Sequence, residues 1–220
     1  MRLAREVERR LERLVDGATA AVFRGTMHPA DIADRLVRQA DFVVDEGDAD
    51  PSIPNEWIVK IHPSDLPPGV AIRSLEDELG RALSELAADR SWRTSGPVSV
   101  TIEPDVDVPK GLTDCAGVTR PGDLAPWAQL VSASPPLVFE IGDNRAVLGR
   151  ALECDVVISV PELSRRQAVV ARSADGTTIS DLSSANGTFV NGDRIGTGPH
   201  PLMPGDTVTM GDIDFIFRTV

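Results

Sequence analysis

Basic residues are in short supply in this chain, and that scarcity excludes a class of partner. Across 220 residues the formal net charge is −12. Up to Asp107 there are 13 basic against 21 acidic residues, and beyond it 9 against 13, so both halves are acidic. Affinity for a nucleic-acid backbone needs a basic face, so neither half reads as a DNA or RNA module. Cysteine is scarcer still. Cys115 and Cys154 stand 39 positions apart with no Cys-x-x-Cys between them, which points to structural thiols in a reducing cytosol rather than a disulfide or metal site. The three histidines, His28, His62 and His200, have no Cys, Ser-x-x-Lys or paired carboxylates at catalytic spacing. Gly192, Gly196 and Gly198 do not lead from a strand into a helix, so they make no nucleotide loop. The chain is therefore not expected to be an enzyme, and no catalytic residue, cofactor or metal is expected. No apolar run approaches the ~20 residues of a membrane span. Met1-Arg2-Leu3-Ala4-Arg5-Glu6 lacks an apolar signal core. The expected location is cytoplasmic, with any recruitment to a membrane made through a partner. There is neither an internal repeat nor a heptad run.

What the chain does have is punctuation, with 18 glycines and 17 prolines, a content that suits a loop-rich β domain and a linker. Leu3, Val7, Leu11, Leu14, Val15, Ala18 and Val22 make a helical stripe, and a second helix is predicted to open near Pro29 with Ile32, Leu36, Val37 and Ala40 inward. Glu56 to His62 alternates as a half-buried strand. Ser74 and Asp77 suggest a capped start for a third helix carrying Leu75, Leu79, Ala82, Leu83 and Leu86. Pro97 to Glu103 alternates again. Residues 1–107 are thus predicted to form a small α+β domain. From 108 to 135 the periodicity stops among recurring prolines, and a fairly stiff linker is expected. Trp127 within it is either a docking residue or a locally packed aromatic. Residues 136–220 hold short strands at roughly ten-residue spacing separated by turns, the pattern of an all-β sandwich.

Three motifs fall in order on that background: Gly149-Arg150, then Ser164-Arg165-Arg166-Gln167, then Asp181 to Gly192 with its Ala185-Asn186-Gly187-Thr188 core. An arginine, a loop serine and a loop asparagine carried on successive strand ends can converge on one anion. Arg150 presents the planar fork that suits phosphate oxygens; its rival role is a surface salt bridge. Ser164 can donate its hydroxyl to phosphate, with Arg165 adding charge or a backbone N–H; its rival role is to close its own turn. Asn186 precedes Gly187, so a plain turn competes with ligand binding there, although Asn191-Gly192 already supplies a hairpin turn.

The order Gly-Arg, Ser-Arg-x-x, Asn-Gly-Thr-x-Val-Asn-Gly resembles the forkhead-associated (FHA) domain, a β-sandwich that binds phosphothreonine peptides. The resemblance implies that Arg150, Ser164, Arg165, Ser184 and Asn186 contact the phosphopeptide, with Gly149, Gln167 and Gly187 supporting the loops. Two positions depart from the family pattern. Gln167 stands where a loop-bracing histidine is usual, and Ala185 where a phosphate-binding Ser or Thr is common, so weaker binding, or takeover by Ser184 or a backbone group, is expected. Glu6 to Gly17, Phe23-Arg24-Gly25, His28 to Ala33 and Pro54 to Val59 are similar to the amino-terminal domain of actinobacterial FhaA proteins, which precedes a linker and an FHA domain. Together these imply a signalling adaptor downstream of Ser/Thr protein kinases, tied to cell-wall synthesis or cell division. Its implied partners are phosphothreonine-containing proteins and the kinases themselves. The alternative is a phospho-independent scaffold in which the first domain makes the main contact and the FHA domain is degenerate. Thr113 and Thr119, in the expected linker, are candidate phosphosites whose modified side chain would dock on a sandwich of the same or another molecule.

Overall fold

The computed structural model describes residues 29–44, 50–66, 72–134 and 136–220. The helical stripe expected from Leu3 to Val22, and the segments Glu6–Gly17 and Phe23–Gly25, lie outside the described residues. The described residues divide into two compact units, those up to 87 with 94–123, and 88–93 with those from 124 onward.

The first unit is α+β. Helix α1 (Pro29–Val43) opens at the proline, which fixes φ and lacks an N–H that the first turn would leave unpaired anyway. Strand β1 (Glu56–Ile61) alternates half-buried and buried along its length. Helix α2 (Ile72–Asp89) follows; it begins two residues before Ser74, which sits inside the first turn rather than capping it. Strand β2 (Ser99–Pro104) then pairs parallel to β1 with Glu56 opposite Ser99. A parallel pair needs a long connection, and α2 supplies it. Trp57, Val59 and Ile61 of β1, Ile32, Leu36 and Ala40 of α1, and Leu79, Leu83 and Leu86 of α2 are all buried. Their area is removed from water at ~25 cal/mol per Å2.

The third strand of this sheet corrects the sequence expectation. Strand β3 (Thr113–Val118) pairs antiparallel with β1, Ile61 opposite Thr113. These residues were expected to be linker. Thr-Asp-Cys-Ala-Gly-Val carries little of the β-branched or aromatic content that marks a strand, and its place comes from β1's free edge. A second stretch of the expected linker is also strand: β4 (Ala128–Ala133) belongs to the second unit.

That unit is a β-sandwich. In one sheet the strands at 193–194, 188–190, 207–210, 213–219, 128–133 and 136–141 lie side by side in that order, and in the other those at 200–201, 176–181, 168–173, 145–149 and 156–157. The strands are β5 (Pro136–Ile141), β6 (Arg145–Gly149), β7 (Val156–Val157), β8 (Ala168–Ser173), β9 (Gly176–Asp181), β10 (Thr188–Val190), β11 (Asp193–Arg194), β12 (His200–Pro201), β13 (Thr207–Met210) and β14 (Ile213–Thr219). Leu130, Val208, Phe215 and Phe217 from the first sheet meet Leu148, Val170 and Ile179 from the second in one buried cluster. Trp127 is locally packed. Its ring lies edge-on to Phe217, Arg172 sits over its face, and its Nε1 donates to the Asp143 carbonyl at 2.9 Å. Asn191 and Gly192 both have positive φ, 52° and 89°. They form the two-residue turn that joins β10 to β11, with Val190 opposite Asp193.

Candidate functional site

Strand register brings three loops to one end of the sandwich. Leu148 at the end of β6 lies opposite Ala168 at the start of β8, and Ala168 lies opposite Asp181 at the end of β9. The segments leaving or entering this row are 150–155, 158–167 and 182–187, which are the three motifs of the sequence. Their backbones are tied together. The Arg150 N–H donates to the Ser164 carbonyl and the Ala151 N–H to the Arg165 carbonyl, both at 3.1 Å. Glycine is required at 149 because a Cβ there would sit 2.2 Å from the Arg165 carbonyl oxygen.

Gln167 is fully buried and braces the site. Its Oε1 accepts from the Ser164 N–H at 3.0 Å, while Nε2 donates to the Gly187 carbonyl and to Thr188 Oγ1, each at 3.0 Å. One amide thus joins the Ser164 loop to the Asn186-Gly187 loop, and an amide can donate twice and accept once where a neutral imidazole does each only once.

A cleft of about 610 Å3 opens above this brace, lined by Arg150, Ser164, Arg165, Arg166 and Asn186 among others. Ser164 Oγ accepts the Ala185 N–H at 2.9 Å, which orients the hydroxyl and leaves its proton free for an incoming acceptor. Arg150, Arg165 and Arg166 are exposed, and none makes a salt bridge with a described residue. Arg150's rival role as a salt-bridge partner therefore finds no counter-ion among the described residues. Asn186 Nδ2 donates to the Glu162 carbonyl at 3.0 Å, so its side chain reaches out of its own turn. Its second N–H and its Oδ1 have no recorded partner among the described residues. Chemically the arrangement can hold a tetrahedral dianion: three guanidinium groups and an oriented hydroxyl line one concavity.

One expected contact is corrected. Ser184 is buried and does not line the cleft. Its hydroxyl donates to Asp181 Oδ1 at 2.5 Å and its N–H to Asp181 Oδ2 at 2.9 Å. Its one proton is spent on holding the loop. Thr188, also buried, donates to the same Oδ1 at 2.8 Å. Burial alone would push the Asp181 carboxyl up. Hydrogen bonds from the Ser184 and Thr188 hydroxyls and from the Ser184 and Ser183 N–H groups outweigh it and hold the carboxyl below its usual range. Sequence reasoning missed Asp181 and Thr188 as the hub of this loop. The signal was the Asp-x-x-Ser spacing, in which an aspartate caps the amide three residues on. The acidic lining residues Glu153 and Glu162 were missed as well.

The remaining candidates fall elsewhere. Thr113 opens β3, half-buried in the first unit's sheet. Thr119 follows that strand and is exposed. The Cys154 thiol donates to the Arg165 carbonyl at 3.1 Å, and burial pushes it up, as it does Cys115; neither is an activated nucleophile. Among the described residues no group of His, Cys, Asp and Glu could hold a metal, and no helix is long and apolar enough to cross a membrane.

Two family models match this chain, one in each part. The family described as FhaA, N-terminal domain, matches residues 4–115, and the FHA domain matches residues 146–211. The ABC transporter ATP-binding/permease protein Rv1747 of Mycobacterium tuberculosis is 38% identical over 101 residues, which is 46% of this chain and 11% of that protein. The chain thus spans only a small part of that relative's length. Among solved structures, the FHA domain of FhaA complexed with the intracellular domain of Rv3910 is similar at 23% identity and a TM-score of 0.37, over 43% of this chain and 100% of that one. The yeast Dun1 FHA domain in complex with a doubly phosphorylated peptide derived from Rad53 is similar at 26% identity and a TM-score of 0.40, over 47% and 82%.

Proposed function

The chain belongs to the FhaA N-terminal-domain family, and from that premise we propose that its sandwich binds phosphothreonine peptides, making the protein an adaptor downstream of Ser/Thr kinases. The observation that carries this reading is that Arg150, Ser164 and Asn186 line one cleft, with the Ser164 proton and three guanidinium groups unspent among the described residues. The FHA-domain match over residues 146–211 supports it. The reading assigns recognition and no reaction.

Titrating the purified chain with phosphothreonine peptides and their unphosphorylated twins tests it. Phosphorylation is expected to be required for tight binding, and equal affinity for both members of every pair would end the proposal. Arg150→Ala removes a charge-assisted contact from an exposed site, so affinity should drop by ~1.5–3 kcal/mol, about 10- to 150-fold. Its thermal midpoint should stay at the wild-type value.

The finer proposal is a role in cell-wall synthesis or cell division, exercised in the cytoplasm through the phosphorylated intracellular segment of a partner. A pull-down from cells with wild-type and Arg150→Ala baits checks it: recovery of the same proteins by both would rule it out. The motive for a phospho-independent scaffold is the pair of departures from the FHA pattern, Gln167 and Ala185. Gln167's three hydrogen bonds remove the first of those reasons. At Ala185 the side chain offers no hydroxyl, and the main-chain N–H is given to Ser164 Oγ, which it orients.

A further inference from the structure

We propose that Glu162, seconded by Glu153, makes this cleft select phosphothreonine peptides that carry a lysine or arginine within a few residues of the phosphorylated side chain. The proposal rests on the phosphopeptide reading above and names the ligand class of that same site. Three observations bear on it.

The cleft that presents Arg150, Arg165 and Arg166 is also lined by Glu153 and Glu162. Both carboxylates are exposed, and neither makes a salt bridge with a described residue. The site therefore offers both signs of charge unneutralised within one concavity. A dianion placed on the arginines leaves the carboxylates to attract a cation on the same ligand and to repel an anion.

Glu162 is held in place up to its stem. Its carbonyl oxygen accepts the Asn186 side chain at 3.0 Å. Its Cβ packs against Gly211 so closely that a Cβ added there would lie 2.9 Å away. Only the outer part of the side chain remains to be ordered when a ligand arrives, which lowers the entropic cost of an ion pair.

The cleft, at about 610 Å3, falls within the ~300–1,000 Å3 typical of sites that enclose a sizeable ligand. One phosphorylated side chain leaves much of it empty, so the residues flanking the phosphothreonine enter the reach of the carboxylates. The chain's net charge of −12 acts in the same direction from further away.

Fluorescence anisotropy with the full chain tests the proposal. The probes are phosphothreonine peptides that differ at a single flanking position by Lys, Gln or Glu, each with an unphosphorylated twin. At one or more positions the Lys peptide should bind about three- to five-fold tighter than its Gln counterpart, the scale of a well-placed exposed ion pair. Glu162→Gln should bring that ratio close to one, and Glu162→Lys should turn it in favour of the Glu peptide. A loosened loop would lose phosphate dependence instead of reversing a charge preference, so the second variant separates charge reading from damage to the fold. Phosphate-dependent binding that ignores flanking charge overturns the proposal and leaves the phosphopeptide reading standing. So does a Lys preference that survives both substitutions and Glu153→Gln. Binding indifferent to phosphorylation overturns both.

Discussion

Asp181 holds the loop between β9 and β10 with a single carboxylate that receives two hydroxyls and two amides. Its folded pKa is depressed relative to the unfolded chain, so its contribution to stability is fully present above the unfolded value, ~4. It is lost as pH falls through the folded value. Replacing Asp181 by Asn should cost about 2–3 kcal/mol at neutral pH, the scale of hydrogen bonds to a charged group. That deficit should shrink as the solution is acidified below ~4. Urea unfolding of both proteins at several pH values measures it, and a deficit constant with pH would refute the role. That Arg150, Ser164 and Asn186 would share one cleft was legible in the sequence, because each sits in a short motif at a strand end. Ser184 was not. A hydroxyl's choice between an incoming phosphate and a neighbouring carboxylate depends on how the loop closes, and Asp181 lies three residues away on the buried side.

At the scale of elements, β6 and the 164–167 segment meet main chain to main chain, with the Gln167 N–H donating to the Leu148 carbonyl at 2.8 Å. Alanine at Gly149 would have to displace the Arg165 carbonyl, which carries Ala151's hydrogen bond. Gly149→Ala is expected to destabilise the sandwich by about 1–3 kcal/mol and to weaken phosphopeptide binding with it. A thermal melt and a peptide titration read the two effects, and a wild-type melt would show that the approach is not obligatory. Besides the two-residue strands β11 and β12, the elements that escaped sequence reading are β3 and β4, which lie among Pro109, Pro121, Pro126 and Pro136 and carry small residues. Strands that borrow their order from a neighbour's edge leave little local signal. Their presence narrows the phosphosite candidates. Thr113 is paired in register with Ile61, whereas Thr119 is exposed beyond the strand. Kinase treatment of the intact chain should modify Thr119 in preference to Thr113, and mass-spectrometric mapping that finds phosphate on Thr113 alone would reverse that expectation.

For the whole molecule, the local and the distant electrostatics oppose each other. A phosphopeptide approaches a body of net charge −12 before it meets the three arginines of the cleft. Salt at ~0.1 M screens exposed charges beyond ~10 Å, so it should weaken the long-range repulsion more than the contact itself. The association rate constant of a net-negative phosphopeptide is therefore expected to rise from low to physiological salt in stopped-flow binding, and a steep fall would mean that the cleft's field dominates. The division into an α+β region and a sandwich was readable from the alternation of helical and strand periods. The point where the sandwich begins was not, because its first strand hides in proline-rich sequence. That first strand has a further consequence. Ala128 of β4 lies opposite Thr219 of β14, and the Val220 N–H donates to the Trp127 carbonyl at 3.0 Å. The first and last strands of the sandwich are thus neighbours in one sheet, and a pull applied to Ala128 and Val220 would unzip the β4–β14 ladder pair by pair before it reached β6, β8 and β9 in the other sheet.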